Sequence, residues 1–94
     1  MNKIKIGLVF ENKDTAKEFV IKHAPYGETI KDNECEFIYE TSILRFIYIK
    51  PFLNYKAHRL NFAFTNESIR DTEWFDRVIS PVQIVGIGII DQLI

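Results

Sequence analysis

The sequence KIKIGLVF at residues 3–10, followed by NKDTAKEFVIKHAP at residues 12–25, decides the fold class of this chain. Apolar residues alternate along the first stretch, which predicts a strand over residues 3–10. In the second stretch, Asn12 or Thr15 can cap a helix, and Pro25 ends it because the residue before a proline avoids the helical conformation. A strand followed by an amphipathic helix is typical of an α/β domain. The predicted buried stripe of the helix is Ala16, Phe19, Val20 and His23.

The remaining strands follow from alternation and apolar runs. A hairpin is predicted from residues 34–39 and 43–49, because two strand-like runs are joined by a short polar segment. A second short helix is predicted over residues 74–79, with Asp71 or Thr72 as its cap. Two more strands are predicted at residues 59–65 and 82–90, and a short optional one at residues 29–31.

The resulting order is β-α-β-β-β-α-β, which predicts a small mixed sheet of about five strands with two helices. A ferredoxin-like fold is the competing interpretation. It requires a helix between the hairpin and the strand at 59–65, and residues 51–58 are a poor helix sequence. In the strand at 59–65, we expect Leu60, Phe62 and Phe64 to face inward and the alternate residues to face outward. Gly86 and Gly88 predict close backbone or helix packing, or a bulge, in the last strand.

Composition limits the class of protein. A length of 94 residues predicts one domain over residues 1–94, and 47% apolar residues are too many for a disordered chain. The single cysteine, Cys35, excludes an internal disulfide and is predicted to be buried in a strand. We see no signal-peptide pattern and no apolar run of ~20 residues, so a cytoplasmic location is expected.

Two segments invite comparison with phosphate-binding loops. Gly7 and Lys13 have the spacing of the first glycine and the lysine, while Asn12 replaces the second glycine and Asp14 replaces the hydroxyl residue. Residues 65–67 follow a strand where P-loop ATPases carry an Asp-Glu pair. The chain therefore resembles a reduced P-loop-type α/β core without intact Walker motifs, of the kind found among small phage and mobile-element accessory proteins. The resemblance carries no catalytic role onto these residues.

Charge is strongly segregated along the chain. Residues 41–66 contain no acidic residue and four basic ones, whereas residues 1–40 carry a net charge of −2 and residues 67–94 a net charge of −3. Such segregation indicates a surface for a charged partner. Arg45 is exceptional because it lies in an apolar strand. It is predicted to pair with Glu34, Glu36 or Glu40 across the hairpin.

The basic segment supplies the candidate site, because cations alternate there with aromatic rings. This pattern suits an acidic protein partner, because aromatic and basic residues often anchor protein interfaces. It also suits nucleic acid bound through the segment 45–59. A third interpretation is a solvated loop in which Phe52 and Leu53 plug the core. The candidate partner-binding residues are Lys50, Phe52, Tyr55, Lys56, His58 and Arg59.

No catalytic or metal motif stands out. His23 and His58 have no second ligand at metal-binding spacing, and no serine lies in a nucleophile elbow. We therefore expect no catalytic residue, metal or cofactor. The leading hypothesis is a non-enzymatic interaction protein that binds and modulates another macromolecule, such as a phage-encoded inhibitor or adaptor. The alternatives are a nucleic-acid-binding domain and a degenerate nucleotide-binding domain, and the apolar run at residues 87–94 predicts a homodimer through the C-terminal strand.

Overall fold

A computed structural model describes residues 3–53 and 59–90 of the chain. Within these ranges, no helix is long and apolar enough to cross a membrane. The strands are β1 (Ile4–Val9), β2 (Glu28–Asp32), β3 (Phe37–Glu40), β4 (Leu44–Ile49), β5 (Leu60–Thr65) and β6 (Gln83–Ile89). The helices are α1 (Lys13–His23) and the short α2 (Glu67–Arg70), which is followed by a π-helical turn (Phe75–Ile79) and a 3₁₀ turn (Ser80–Val82).

The strands form one mixed sheet in the order β2-β3-β4-β1-β5-β6. The pairs β4·β1, β1·β5 and β5·β6 are parallel, whereas β2·β3 and β3·β4 are antiparallel. The predicted mixed α/β sheet is confirmed in this coarse form. The optional strand is present as β2, so that the sheet has six strands rather than about five.

Helix α1 covers one face of the sheet. Asn12 caps it, as predicted, because its side-chain oxygen accepts a hydrogen bond of 2.9 Å from the Thr15 amide. The ring of Phe19 lies 5.0 Å from the ring of Phe64, centroid to centroid, and joins the helix to β5. The prediction that His23 belongs to the buried stripe is wrong: this last residue of the helix is exposed, with its ring against Phe19. The core on this face includes Ile6, Leu8, Phe10, Ala16, Phe19, Val20, Phe37, Tyr39, Phe46 and Tyr48.

The opposite face is covered by the helical segment of residues 67–82. This segment begins earlier than the sequence predicts, since Asn66 caps α2 by accepting a 3.0 Å hydrogen bond from the Ile69 amide. Thr72 is the cap of the next helical piece, as predicted, and its hydroxyl accepts a hydrogen bond from the Phe75 amide. The core on this face consists of Val9, Ile49, Leu60, Ala63, Ile69, Trp74, Phe75 and Ile79.

The prediction of which β5 side chains point inward and which point outward is partly wrong. Ala63 and Thr65, predicted to face outward, are fully buried, and Leu60 packs with Ala63 rather than with the phenylalanines. Strict alternation fails because β5 is covered on both faces and its register against β6 shifts between Leu60 and Phe62. On the other side of β5, the Asn61 side chain accepts a 2.9 Å hydrogen bond from the Lys5 amide of β1.

The predicted hairpin of residues 34–39 and 43–49 is confirmed as the antiparallel pair β3·β4, joined by residues 41–43, but its first strand is shorter than predicted. Strand β3 begins only at Phe37, and residues 33–36 form the loop after β2. The Asn33 side chain accepts hydrogen bonds from the amides of Cys35 and Glu36, which fixes this loop. Cys35 is therefore exposed, and the prediction of a buried cysteine is wrong.

Three strand glycines make room for large neighbours. A Cβ on Gly88 would lie 2.5 Å from Phe64 Cδ1, and one on Gly86 would lie 3.1 Å from Phe62 Cε2. The close neighbours of these two glycines are therefore aromatic side chains of β5 rather than the backbone or helix that the sequence predicts, while the alternative of an irregular strand is met by the register shift between β5 and β6. Gly7 lies inside β1, where its Cβ would meet Leu60 Cδ1 at 2.7 Å. Gly7 thus lets Leu60 lie over the centre of the sheet.

Replacing Gly7 tests this packing. We expect Gly7→Ala to lower the free energy of unfolding by about 1–3 kcal/mol, because the added methyl group overpacks the core. Leu60→Val removes the clashing Cδ1 atom, so the double variant should lose less stability than the two single losses added together. Urea denaturation of the four proteins measures this coupling. Strict additivity would show that Leu60 does not fill the space above Gly7.

Candidate functional site

The carboxyl edge of the sheet is where α/β proteins usually bind ligands. Strands β1, β4 and β5 are parallel, so Val9, Ile49 and Thr65 end at the same edge. After β1 the chain enters α1 on one face, and after β5 it enters the helical segment on the other. This divergence is a topological switch point, and residues 50–53 lie beside it after β4.

The loop of residues 50–53 holds two large apolar side chains in solvent. Phe52 is 60% exposed and Leu53 is 56% exposed, although the preceding Pro51 is buried. The interpretation in which these side chains plug the core is therefore wrong. Lys50 is also exposed and adds a cation beside them.

Trp74 supports this loop from the core side. Its indole Nε1 donates a 2.8 Å hydrogen bond to the Leu53 carbonyl oxygen, and its ring lies 5.6 Å from the Phe52 ring, centroid to centroid. Trp74 itself is buried within the cluster under the helical segment. Its hydrogen bond fixes the backbone of the loop, so the exposure of the side chains follows from a defined loop conformation.

Phe52 adopts a backbone conformation that is costly for its residue type. Its φ of 67° lies in the left-handed region, which costs a residue with a Cβ roughly 1–2 kcal/mol. Such strain persists where surrounding contacts impose it, and it is concentrated at functional sites. The contacts next to Phe52 are those of Trp74 with its ring and with the Leu53 carbonyl oxygen.

The structure separates the basic candidates. Arg59 is exposed and immediately precedes β5, so it lies at the amino edge of the sheet. Lys50 follows β4 and lies at the opposite edge. Because a six-residue strand spans about 20 Å, Lys50 and Arg59 do not form one contiguous patch. Tyr55, Lys56 and His58 lie outside the described residues, and their role remains a prediction.

Arg45 is also at the amino edge and is engaged in an ion-pair cluster. Its Nε donates to Glu40 Oε2, and Lys3 Nζ lies 2.8 Å from Glu40 Oε1. Glu40 is thus the partner among the three acidic residues that the sequence left open. Hydrogen bonds from Lys3 and then from Arg45 lower the pKa of the Glu40 carboxyl group below its ordinary value of about 4.5.

Lys13 has a structural partner as well. This residue stands where a P-loop has its phosphate-binding lysine, but its Nζ lies 2.7 Å from Asp32 Oδ1 at the end of β2. Lys17 binds the other oxygen of Asp32 at 2.9 Å, so the two lysines attach α1 to the sheet edge. Both hydrogen bonds, that from Lys13 first, lower the pKa of Asp32. The resemblance to a P-loop core remains a prediction.

Two further features bear on ligands. An open cleft of about 430 Å³ lies at the amino edge beside Tyr26, Lys3 and Glu40. Three charged side chains line it, Lys3, Glu28 and Glu40, and Lys3 is already paired with Glu40. Over residues 3–53 and 59–90, no three His, Cys, Asp or Glu side chains are placed to hold a metal ion.

Comparison with known proteins adds no relative: no protein-family model, curated protein or solved structure matches this chain.

The Glu40 cluster predicts a pH dependence of stability. The pKa of Glu40 is lower in the folded than in the unfolded state. The ionised carboxylate therefore contributes fully to the free energy of unfolding above the unfolded-state pKa, and this contribution is lost as the pH falls through the folded-state pKa. Glu40→Gln should therefore be less stable than the wild type at pH 7, and the difference should shrink toward zero in acid. Thermal unfolding of both proteins between pH 7 and pH 2 measures it. A difference that is constant with pH would contradict the ion-pair assignment.

The strain at Phe52 predicts an unusual order of stability. Phe52→Gly and Phe52→Ala both remove the ring, but glycine tolerates a positive φ. We expect the glycine variant to be more stable by roughly 0.5–1 kcal/mol in urea denaturation, after allowing for the greater freedom of unfolded glycine. Leu53 has no positive φ, so at that position the alanine variant should be the more stable. The same order at both positions would exclude strain at Phe52.

Proposed function

We propose that this protein is a non-enzymatic interaction module that binds another protein through the loop of residues 50–53 and thereby modulates it. The observation that carries the proposal is the exposure of Phe52 and Leu53 on a loop that Trp74 holds in place. Solvent-exposed neighbouring apolar side chains on a fixed backbone can enter a pocket on a partner with little loss of conformational entropy.

The contacts favour a protein partner over nucleic acid. Phe52 could stack on a base, but Leu53 has no aromatic face and is suited to an apolar pocket. A nucleic-acid groove also needs cations along one path, whereas Arg45 pairs with Glu40 and Arg59 lies at the opposite edge from Lys50.

The chemistry of the loop defines the partner surface. It should present an apolar pocket for Phe52 and Leu53 and an acidic group within reach of Lys50. Tyr55, Lys56 and His58 follow directly in the sequence and would extend the contact. Such a module would suit a cytoplasmic inhibitor or adaptor protein encoded by a phage or mobile element.

Capture of a partner tests the proposal. The tagged chain and a Phe52→Ser/Leu53→Ser variant are incubated with bacterial lysate with and without nuclease treatment, and bound proteins are identified by mass spectrometry. An Ile21→Ser/Ile43→Ser variant is the matched control, because these isoleucines are 63% and 59% exposed elsewhere on the surface. With the purified partner, calorimetry should show a dissociation constant at least about tenfold higher for the loop variant and an unchanged one for the control.

Two results would contradict the proposal. Equal affinity of the loop variant and the wild type would remove residues 52 and 53 from the interface. Capture of material only from lysate without nuclease, together with binding that weakens steeply as the salt concentration rises, would instead indicate a nucleic-acid partner.

A further inference from the structure

The two edges of the sheet differ in how they resist association. β2 forms one edge, and its five residues are all exposed, include three charged side chains and carry an irregularity between Thr29 and Lys31. Charged side chains hinder the pairing of an edge strand with another chain. The ladder of β6 against β5 also has a register irregularity, between Gln83 and Gly86, so the two edges differ in charge rather than in bulging. β6 forms the other edge of the described sheet, and its sequence QIVGIGI contains no charged residue and no proline.

The β6 edge also exposes apolar side chains. Val85 is 74% exposed and Ile89 is 46% exposed, whereas Ile87 between them packs against the core under the helical segment. The three side chains share one face of the strand, because alternate residues point the same way. A chain added beside β6 would cover Val85 and Ile89.

The hydrogen-bonding direction of β6 follows from its contact with β5. The Ile90 amide donates to the Thr65 carbonyl oxygen at 2.7 Å, so this amide points toward β5. Backbone groups alternate along a strand and each peptide unit is planar and trans, so the N–H and C=O groups of Ile87 and Ile89 point away from the sheet. The C=O group of Val85 points the same way.

We propose that two copies of this chain associate by antiparallel pairing of their β6 strands about a two-fold axis at Ile87. In this arrangement each Ile87 exchanges both of its backbone hydrogen bonds with its copy. The Ile89 amide of each copy donates to the Val85 carbonyl of the other, so four hydrogen bonds join the two sheets.

A second copy fits this edge because the strand is complementary to itself. The two-fold axis places Val85 of each copy directly opposite Ile89 of the other, on the same face, so each pair of exposed apolar side chains is covered. No like charges meet, since residues 83–89 carry none. Closed two-fold pairing also leaves no free β6 edge to propagate into a fibre. The contact uses neither Phe52 nor Leu53, so its test is independent of the proposed function.

Sedimentation equilibrium tests the dimer across micromolar concentrations. We expect the wild type to reach twice the chain mass of 11.1 kDa and Val85→Lys/Ile89→Lys to remain at the single-chain mass. Val85→Lys/Ile89→Glu should restore the dimer, because the axis places each introduced lysine opposite an introduced glutamate. Ile21→Lys is the control, since it adds the same charge at an exposed position of α1 and should leave the dimer intact.

Hydrogen exchange of the wild type supplies a readout that does not depend on any variant. The amides of Ile87 and Ile89 should be protected at high concentration and lose protection on dilution, whereas those of Gly86 and Gly88, which face β5, should remain protected. A wild type that stays at the single-chain mass, or unprotected Ile87 and Ile89 amides at high concentration, would overturn the proposal. So would a Val85→Lys/Ile89→Lys variant that folds and still dimerises.

Discussion

The need to cover both faces of the parallel strands β4, β1 and β5 governs the rest of this structure. Central parallel strands expose no face to water, so their residues must be apolar on both sides. Helix α1 covers one face and the helical segment of residues 67–82 covers the other. The same constraint explains much of the charge segregation. Strands β4 and β5 supply nearly half of residues 41–66, where a carboxylate would be buried without a partner.

The parallel order also creates the two surfaces to which we assign interactions. A chain that leaves β4 at the carboxyl edge must return to the amino edge before β5 can begin, so the connection starts with the loop of residues 50–53. Trp74, in the helical segment that covers β5, lies under this loop and fixes it. β6 extends the parallel sheet by one strand and ends it with an apolar edge.

Local patterns predicted the elements well because periodicity and capping depend on near neighbours in the sequence. Residue type and position narrow each cap to two candidates, of which Asn12 and Thr72 make the capping hydrogen bonds. Burial on both faces was harder to predict, since Ala63 and Thr65 look like outward residues when β5 is considered alone. Cys35 was placed in a strand because its alternation with glutamates imitates one, whereas the Asn33 side chain closes a loop there.

The site depended on information that no local pattern contains. Lys50 and Arg59 are nine positions apart in the sequence, and only the parallel order of β4 and β5 shows that they lie at opposite edges. The exposure of Leu53 and the support from Trp74 depend on a contact between residues 21 positions apart. The sequence predicts that Arg45 pairs with a carboxylate, because a cation in an apolar strand needs one. Which carboxylate it is follows only from the cross-strand register, which places Glu40 opposite Arg45.

The proposed interface depends on the exposure of Phe52 and Leu53 above a buried Trp74. Solvent paramagnetic relaxation enhancement in solution NMR measures this directly, because a soluble spin label broadens the signals of exposed groups. We expect strong enhancement at the Phe52 ring and the Leu53 methyl groups and weak enhancement at the Trp74 indole N–H. Weak enhancement at Phe52 and Leu53, equal to that of core residues such as Phe75, would contradict this expectation and show that the loop fills the core.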